Sequence, residues 1–314
     1  MSNDHTPEII LHNYPQSPVA EKVRVALGIK GVAWRDVEIP RIPPKPDLVA
    51  LTGGYRRTPV MQIGADIYCD SQRILMALDH LPGPRLQHDH AGLMWGLSRW
   101  TDGALFDLAV KIVLGSAGDA LPADFAEDRG RLYLGPEWAA GLKAANADLP
   151  HLAAQMRNAL SWLEETLRDG GPFLTGAAPG AIDAQFYHIV WFLRGRWVPG
   201  ADLLNGFPHV ERWENTIANI GHGSPAPMTS GEALSIGTQA TPATPSGVHA
   251  GDPQGLAVGD LVSVAPDVDG GEVPVRGTLW SADATTVALR RESETCGTLC
   301  IHFPRAGYRI TPDC

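Results

Sequence analysis

Ser17 and Pro18 stand where an apolar strand, EIILHNY, gives way to a helix, SPVAEKVRVALGIKG. Two roles are open to a hydroxyl in that place. It can cap the helix by accepting a bond from a backbone N–H of the first turn, with proline at the next position supplying a preset φ. It can also face a cleft and do chemistry. The third helical position is Ala20 rather than Glu, so the stretch is not a full capping box. Tyr14, at the end of the strand, offers a second hydroxyl. Asp70 and Ser71 form another polar pair that opens a helix, SQRILMALDHL. Between them lie Lys45, Arg56 and Arg57, and then Thr58 and Pro59. The cysteines (Cys69, Cys296, Cys300 and Cys314) are few and scattered, which fits a reducing compartment. No second Cys or His pair joins Cys296 and Cys300 at zinc spacing, so no metal is expected.

The elements that must position these residues follow from periodicity. Residues 1–82 read as β-α-β, a proline-rich turn at PRIPPKP, then β-β-α, with TPVMQIG and ADIYCD forming a hairpin around Gly64. From 90 to 222 the texture is helical. Leu152, Met156, Leu160, Leu163 and Leu167 paint one face of a helix, and Trp95, Trp100, Trp162, Trp191 and Trp213 read as packing residues. Residues 223–254 are rich in Pro, Gly, Ser and Thr and read as a linker with one short helix at SGEALSIG. Residues 255–314 carry short alternating runs, including DLVSVAP, VPVRGTLWSA, TTVALRR and TLCIHFPRAGYRI, and read as a small β-barrel-like domain.

Composition narrows the function classes. A chain of 314 residues with 44% hydrophobic and 19% charged residues suits two or three folded domains. Its net charge of −10 argues against a general nucleic-acid or anionic-membrane binder. No run is long enough for a membrane span. The start, MSNDHTPEIILH, lacks a signal-peptide pattern, so a cytoplasmic protein is expected.

Three segments in register resemble the cytosolic glutathione transferases. SPVAEKVRVAL resembles their first helix, RRTPVMQIGADIYCDSQRIL their Pro-Val turn, hairpin and acidic-Ser helix start, and GAAPGAIDAQFYHIV the segment that begins a central helix of their second domain. The resemblance covers about the first 220 residues and implies a thioredoxin-like N-terminal domain followed by an all-helical one. It implies glutathione as co-substrate, a small hydrophobic electrophile as second substrate taken by the helical domain, and a homodimer. Ser17 takes the place of the omega-class cysteine and the theta-type serine. Serine there implies conjugation rather than reduction through a mixed disulfide, which needs a sulfur. Tyr14 is the second candidate. Pro59 corresponds to the cis-proline and Thr58 to the residue whose N–H and C=O hold the cysteinyl part. Asp70 and Ser71 correspond to the pair that meets the γ-glutamyl end, with Asp shorter than the usual Glu or Gln. Lys45, Arg56 and Arg57 are alternatives for the glycyl carboxylate. Asp183, three after Gly180, corresponds to a structural cap from which the usual Ser or Thr partner is missing.

The magnitudes suit that role. A thiol of pKa about 8.5 is mostly protonated at neutral pH, and lowering it by two units requires about 2.7 kcal/mol. A hydroxyl bond to a charged sulfur contributes about 1.5–3 kcal/mol. A helix N-terminus adds about 0.3–1 kcal/mol. The tail, where acidic residues outnumber arginines, reads as an interaction or substrate-lid module. The competing class is therefore a non-catalytic binding protein of the same fold, using the cleft or this tail.

Overall fold

The computed structural model describes residues 7–88, 90–268 and 270–313, with backbone only at 119. Cys314 lies outside the described residues. The chain forms two compact units: one contains residues up to 20, 32–82 and 224 onward, the other 21–31 and 83–223.

The first unit is built on β1 (Ile10–Asn13), the helix α1 (Pro18–Lys30), which continues into the second unit, β2 (Ala33–Glu38), α2 (Pro46–Thr52), β3 (Val60–Ile63), β4 (Asp66–Cys69) and α3 (Ser71–His80). β1 pairs parallel with β2 and antiparallel with β3, and β3 pairs antiparallel with β4, which is the thioredoxin-like arrangement. The helix α2 is not among the sequence expectations. Its signals are Pro46 in the first turn and Gly53 just past the end at φ 76°, the usual asymmetry of helix termini.

The second unit is helical: α4 (Ala91–Asp102), α5 (Ala104–Ala117), α6 (Ala123–Leu134), α7 (Trp138–Ala147), α8 (Leu149–Gly170), α9 (Ala181–Arg196), α10 (Gly200–Leu204) and α11 (Pro208–Ile220). The expected face of α8 is buried through Leu152, Met156, Leu160, Leu163 and Leu167. Trp213 is buried, whereas Trp162 is exposed and lies tilted against Trp100, with ring centroids 6.0 Å apart, so it is a surface residue rather than core. Asp183 accepts the Gly180 N–H at 2.9 Å, the Leu174 N–H at 2.9 Å and the Trp213 indole N–H at 2.8 Å. Burial nevertheless raises its pKa. The departure at Gly180 has a steric reason: a Cβ there would come within 2.9 Å of the Leu86 carbonyl oxygen.

The stretch expected as a linker is structured. It holds β5 (Ser224–Pro227), α12 (Ser230–Gln239) and β6 (Gly247–Val248). Thr229 and Glu232 form a capping box at the start of α12, and β5 extends the sheet parallel to β2. Prolines are tolerated in β5 because it is an edge strand.

The expected separate β domain is also not separate. Its strands are β7 (Leu261–Pro266), β8 (Val275–Ala282), β9 (Thr286–Ser293), β10 (Gly297–Pro304) and β11 (Tyr308–Pro312). They pair antiparallel in the order β11-β7-β8-β9-β10, and β10 then pairs parallel with β4. The result is one eleven-stranded sheet, and one hydrophobic cluster joins Ile10, Val60 and Ile67 to Leu279, Leu299 and Phe303. The physical reason is edge pairing. A thioredoxin-like sheet ending at β4 presents unpaired N–H and C=O groups, which β10 satisfies.

Candidate functional site

The register gathers the expected residues at one end of the sheet. His12 pairs with Val60 and Val60 with Cys69, so the end of β1, the start of β3 and the end of β4 lie side by side. Tyr14 and Ser17 follow β1, Thr58 and Pro59 precede β3, and Asp70 and Ser71 follow β4. The Thr58–Pro59 segment therefore sits between the other two pairs.

Ser17 is buried, and its N–H donates to the Tyr14 carbonyl at 3.1 Å, closing the turn into α1. Its Oγ accepts the Ala20 N–H at 3.2 Å. The hydroxyl's own hydrogen has no protein acceptor among the described residues. Capping and chemistry are thus not exclusive, because the cap uses a lone pair and leaves the O–H to donate. The Thr58–Pro59 peptide is cis. Lys45 is buried beside it: Nζ donates to Thr58 Oγ1 at 3.0 Å and to the Arg56 carbonyl at 3.2 Å, and lies 5.7 Å from the Tyr14 ring centroid.

Asp70 has φ 74° and ψ 135°, a conformation rare for a residue with a side chain. Such backbone is maintained at an expense of about 1–3 kcal/mol and clusters at ligand clamps. One oxygen, Oδ1, accepts the Gln72 N–H at 2.8 Å and caps α3. The other, Oδ2, accepts the Tyr308 hydroxyl at 3.0 Å. Tyr55 completes this corner, with its hydroxyl 3.4 Å from that of Tyr308. Burial, and then the neighbouring Asp70 charge, pushes both phenols well above their ordinary pKa, so both are protonated. Cys69 is buried, and burial pushes its thiol well above the usual value, so it is not a reactive thiolate.

Of the three basic candidates, Arg57 is already paired. Its Nε donates to both Glu272 oxygens, at 2.8 and 2.9 Å, and its Nη2 also meets Glu272. The Gly53–Gly54 pair admits the C-terminal strands: a Cβ on Gly53 would fall 2.8 Å from Cδ of Arg291. Tyr308 and Glu272 are absent from the sequence expectations because they come from distant segments, and Tyr55 because its partner Tyr308 does. The Gly-Gly-Tyr-Arg-Arg run was the available signal that something else packs on this loop.

On the far side of β4, Asp66, Cys300 and His302 bring an oxygen, a sulfur and a nitrogen within 4.8 Å of one another, a donor set of the metal-binding kind. The carboxylate is taken up by protein donors instead. It accepts Ala243 N–H, Thr244 Oγ1 and His302 Nε2, each at 2.7 Å. The group is therefore a buried hydrogen-bond lock between β4, β10 and the 243–244 segment. In the helical unit, a cavity of about 280 Å³ is lined by Leu167, Arg168, His209, Arg212, Trp213 and Thr216, none of them an expected site residue.

Known proteins agree with this construction. Residues 11–86 match the family model for the glutathione S-transferase N-terminal domain, and residues 136–215 that for its C-terminal domain. A solved GST-like protein from Pseudomonas syringae is 36% identical, with a TM-score of 0.80, over 98% of this chain and 100% of its own. The chain belongs to the glutathione S-transferase superfamily. Within it, the C-terminal strands are the distinguishing part. The match to the Pseudomonas syringae protein spans them. The beta-etherase LigF from Sphingobium sp. strain SYK-6, 16% identical with a TM-score of 0.51, covers only 67% of this chain and 94% of its own, and shows the shared transferase fold. None of the curated proteins matches the chain at a significant level. Among the described residues no helix is long and apolar enough to cross a membrane.

Proposed function

We propose that the protein is a glutathione transferase that binds glutathione at the end of the sheet and adds its thiolate to an electrophilic small molecule. The observation that carries this reading is Ser17, whose oxygen caps α1 while its O–H stays available to a sulfur anion. The helix start contributes its partial positive charge to the same anion. Thr58, cis-Pro59, Asp70 and Ser71 hold the rest of the tripeptide, and Lys45 supports Thr58 from beneath. We read the protein as a cytoplasmic homodimer, which sedimentation and cell fractionation check.

Calorimetric titration with glutathione is the first test, and binding at or below millimolar concentration is expected. Ser17→Ala should then lower the conjugation rate about tenfold to a hundredfold, the kinetic equivalent of one hydroxyl bond to a charged group. It should also raise the pKa of bound thiol by about one to two units, with affinity nearly intact. An unchanged rate profile against pH transfers the role to Tyr14.

A second reading has one observation in its favour. Glu272 already occupies Arg57, so a ligand carboxylate arriving there meets a neutralised cation. Absence of heat and of thermal shift with glutathione would support a non-catalytic binding protein instead.

A further inference from the structure

We propose that Tyr308, from the C-terminal extension, is a positioning residue of the ligand site: it orients Asp70 as the acceptor for the ammonium group of a γ-glutamyl ligand. The inference rests on the glutathione reading above and goes beyond it, because it makes residues outside the two transferase domains part of the site.

Four observations converge. Asp70 lies at the gathered end of the sheet, beside the cis-proline segment, in a left-handed conformation that aims a short side chain. Its two oxygens are held separately: Oδ1 by the Gln72 N–H of its own helix, Oδ2 by the Tyr308 hydroxyl. Tyr308 is itself fixed, with its ring packed 5.3 Å from that of Phe303 and its hydroxyl beside that of Tyr55. Finally, the parallel pairing of β10 with β4 runs His302 alongside Tyr68, which brings the turn into β11 to the Asp70 end. A protonated phenol on Oδ2 removes one degree of freedom from the carboxylate and fixes the direction in which its oxygens accept. This answers the shortness of aspartate at a position where the resemblance leads one to expect a longer acid. The acid is not extended but held, from a strand that ordinary transferases lack.

The test compares two thiol ligands that differ only at that ammonium, glutathione and N-acetylglutathione, by calorimetry with the full chain. The wild type should prefer glutathione by about tenfold or more. Tyr308→Phe deletes one oxygen and keeps the ring against Phe303. It should weaken glutathione about fivefold to tenfold and leave N-acetylglutathione within twofold. In an Asp70→Asn background, where the ammonium has already lost its charged acceptor, Tyr308→Phe should change the preference no further. Equal weakening of both ligands, or weakening of neither, overturns the proposal while the glutathione reading stands. If neither ligand binds the wild type, the underlying reading falls and the proposal falls with it. Should Tyr308→Phe fail to fold, a crystal structure of the wild type with glutathione decides. The proposal requires the ligand ammonium and the Tyr308 hydroxyl on the same carboxylate, and an ammonium held elsewhere overturns it.

Discussion

A buried polar network of the sheet unit and a buried polar pair of the helical unit are satisfied differently. In the sheet unit, His12, Gln62, Asp66 and His302 are buried and tied together. Gln62 receives His12 on its oxygen at 3.0 Å and donates to the carbonyls of Gly64 and Ala233 at 3.0 and 2.9 Å. Asp66 takes its three donors from 243, 244 and 302. In the helical unit, Gln185 and His188 lie one turn apart on α9, fully buried, and none of their four side-chain polar atoms has a hydrogen-bond partner among the described residues. The difference shows what the C-terminal segment does for the fold. It supplies partners, from Ala233 to His302, to polar groups that the N-terminal sheet would otherwise bury alone.

Removing residues 224–314 tests this most severely. It uncovers β2 and β4 as edges and strips the shared core of Leu279, Leu299 and Phe303. The sheet unit should lose cooperative unfolding altogether, as followed by circular dichroism in urea. A truncated chain that unfolds at the wild-type midpoint would break the comparison.

Acid should come next in size. Burial lowers His12 to about 4 and His188 to about 3. Both lie below the ordinary histidine value, so the unfolded chain takes up these protons first as pH falls. Stability is therefore full above about pH 6.5 and is lost on descending from there toward pH 4, by roughly 3 kcal/mol for each group. Urea midpoints measured from pH 7 to pH 4 check the sign, and His188→Leu should make the slope shallower. A midpoint that rises toward acid contradicts the assignment.

The smallest effect sharpens the contrast most, because one substitution is made in both units. Gln62→Leu strands His12, Gly64 and Ala233 and should destabilise by about 2–4 kcal/mol. Gln185→Leu removes an amide that has no partner among the described residues, so it should be neutral or stabilising by up to about 1 kcal/mol. Two equal losses would show that the units do not differ in this respect.

Much of this was legible beforehand, for identifiable reasons. The face of α8 and the strand-helix alternation before residue 82 rest on local periodicity, which sequence displays directly. Ser17, Pro59 and Asp70 were legible because each sits at an element boundary marked by its own residue type. The status of 223–254 was not. Its Pro and Gly content describes a flexible chain, and its order comes from long-range partners, Asp66 above all. The place of the C-terminal strands was hidden likewise, since alternation reveals a strand but not which strand it pairs with. Tyr308 illustrates the limit: nothing in GYRI indicates that its hydroxyl meets Asp70.

The parallel pairing of β10 with β4 has a consequence in time. Asp66 and His302 are 236 residues apart, and residues 83–223 of the helical unit are synthesised between them. During translation β4 waits as an open edge while well over two hundred residues emerge. Contacts of such separation slow folding, and an open edge invites pairing with other chains. The nascent protein is thus most exposed to aggregation between the completion of α3 and the arrival of β10, and it should depend on chaperones in that interval more than a transferase whose sheet ends at β4.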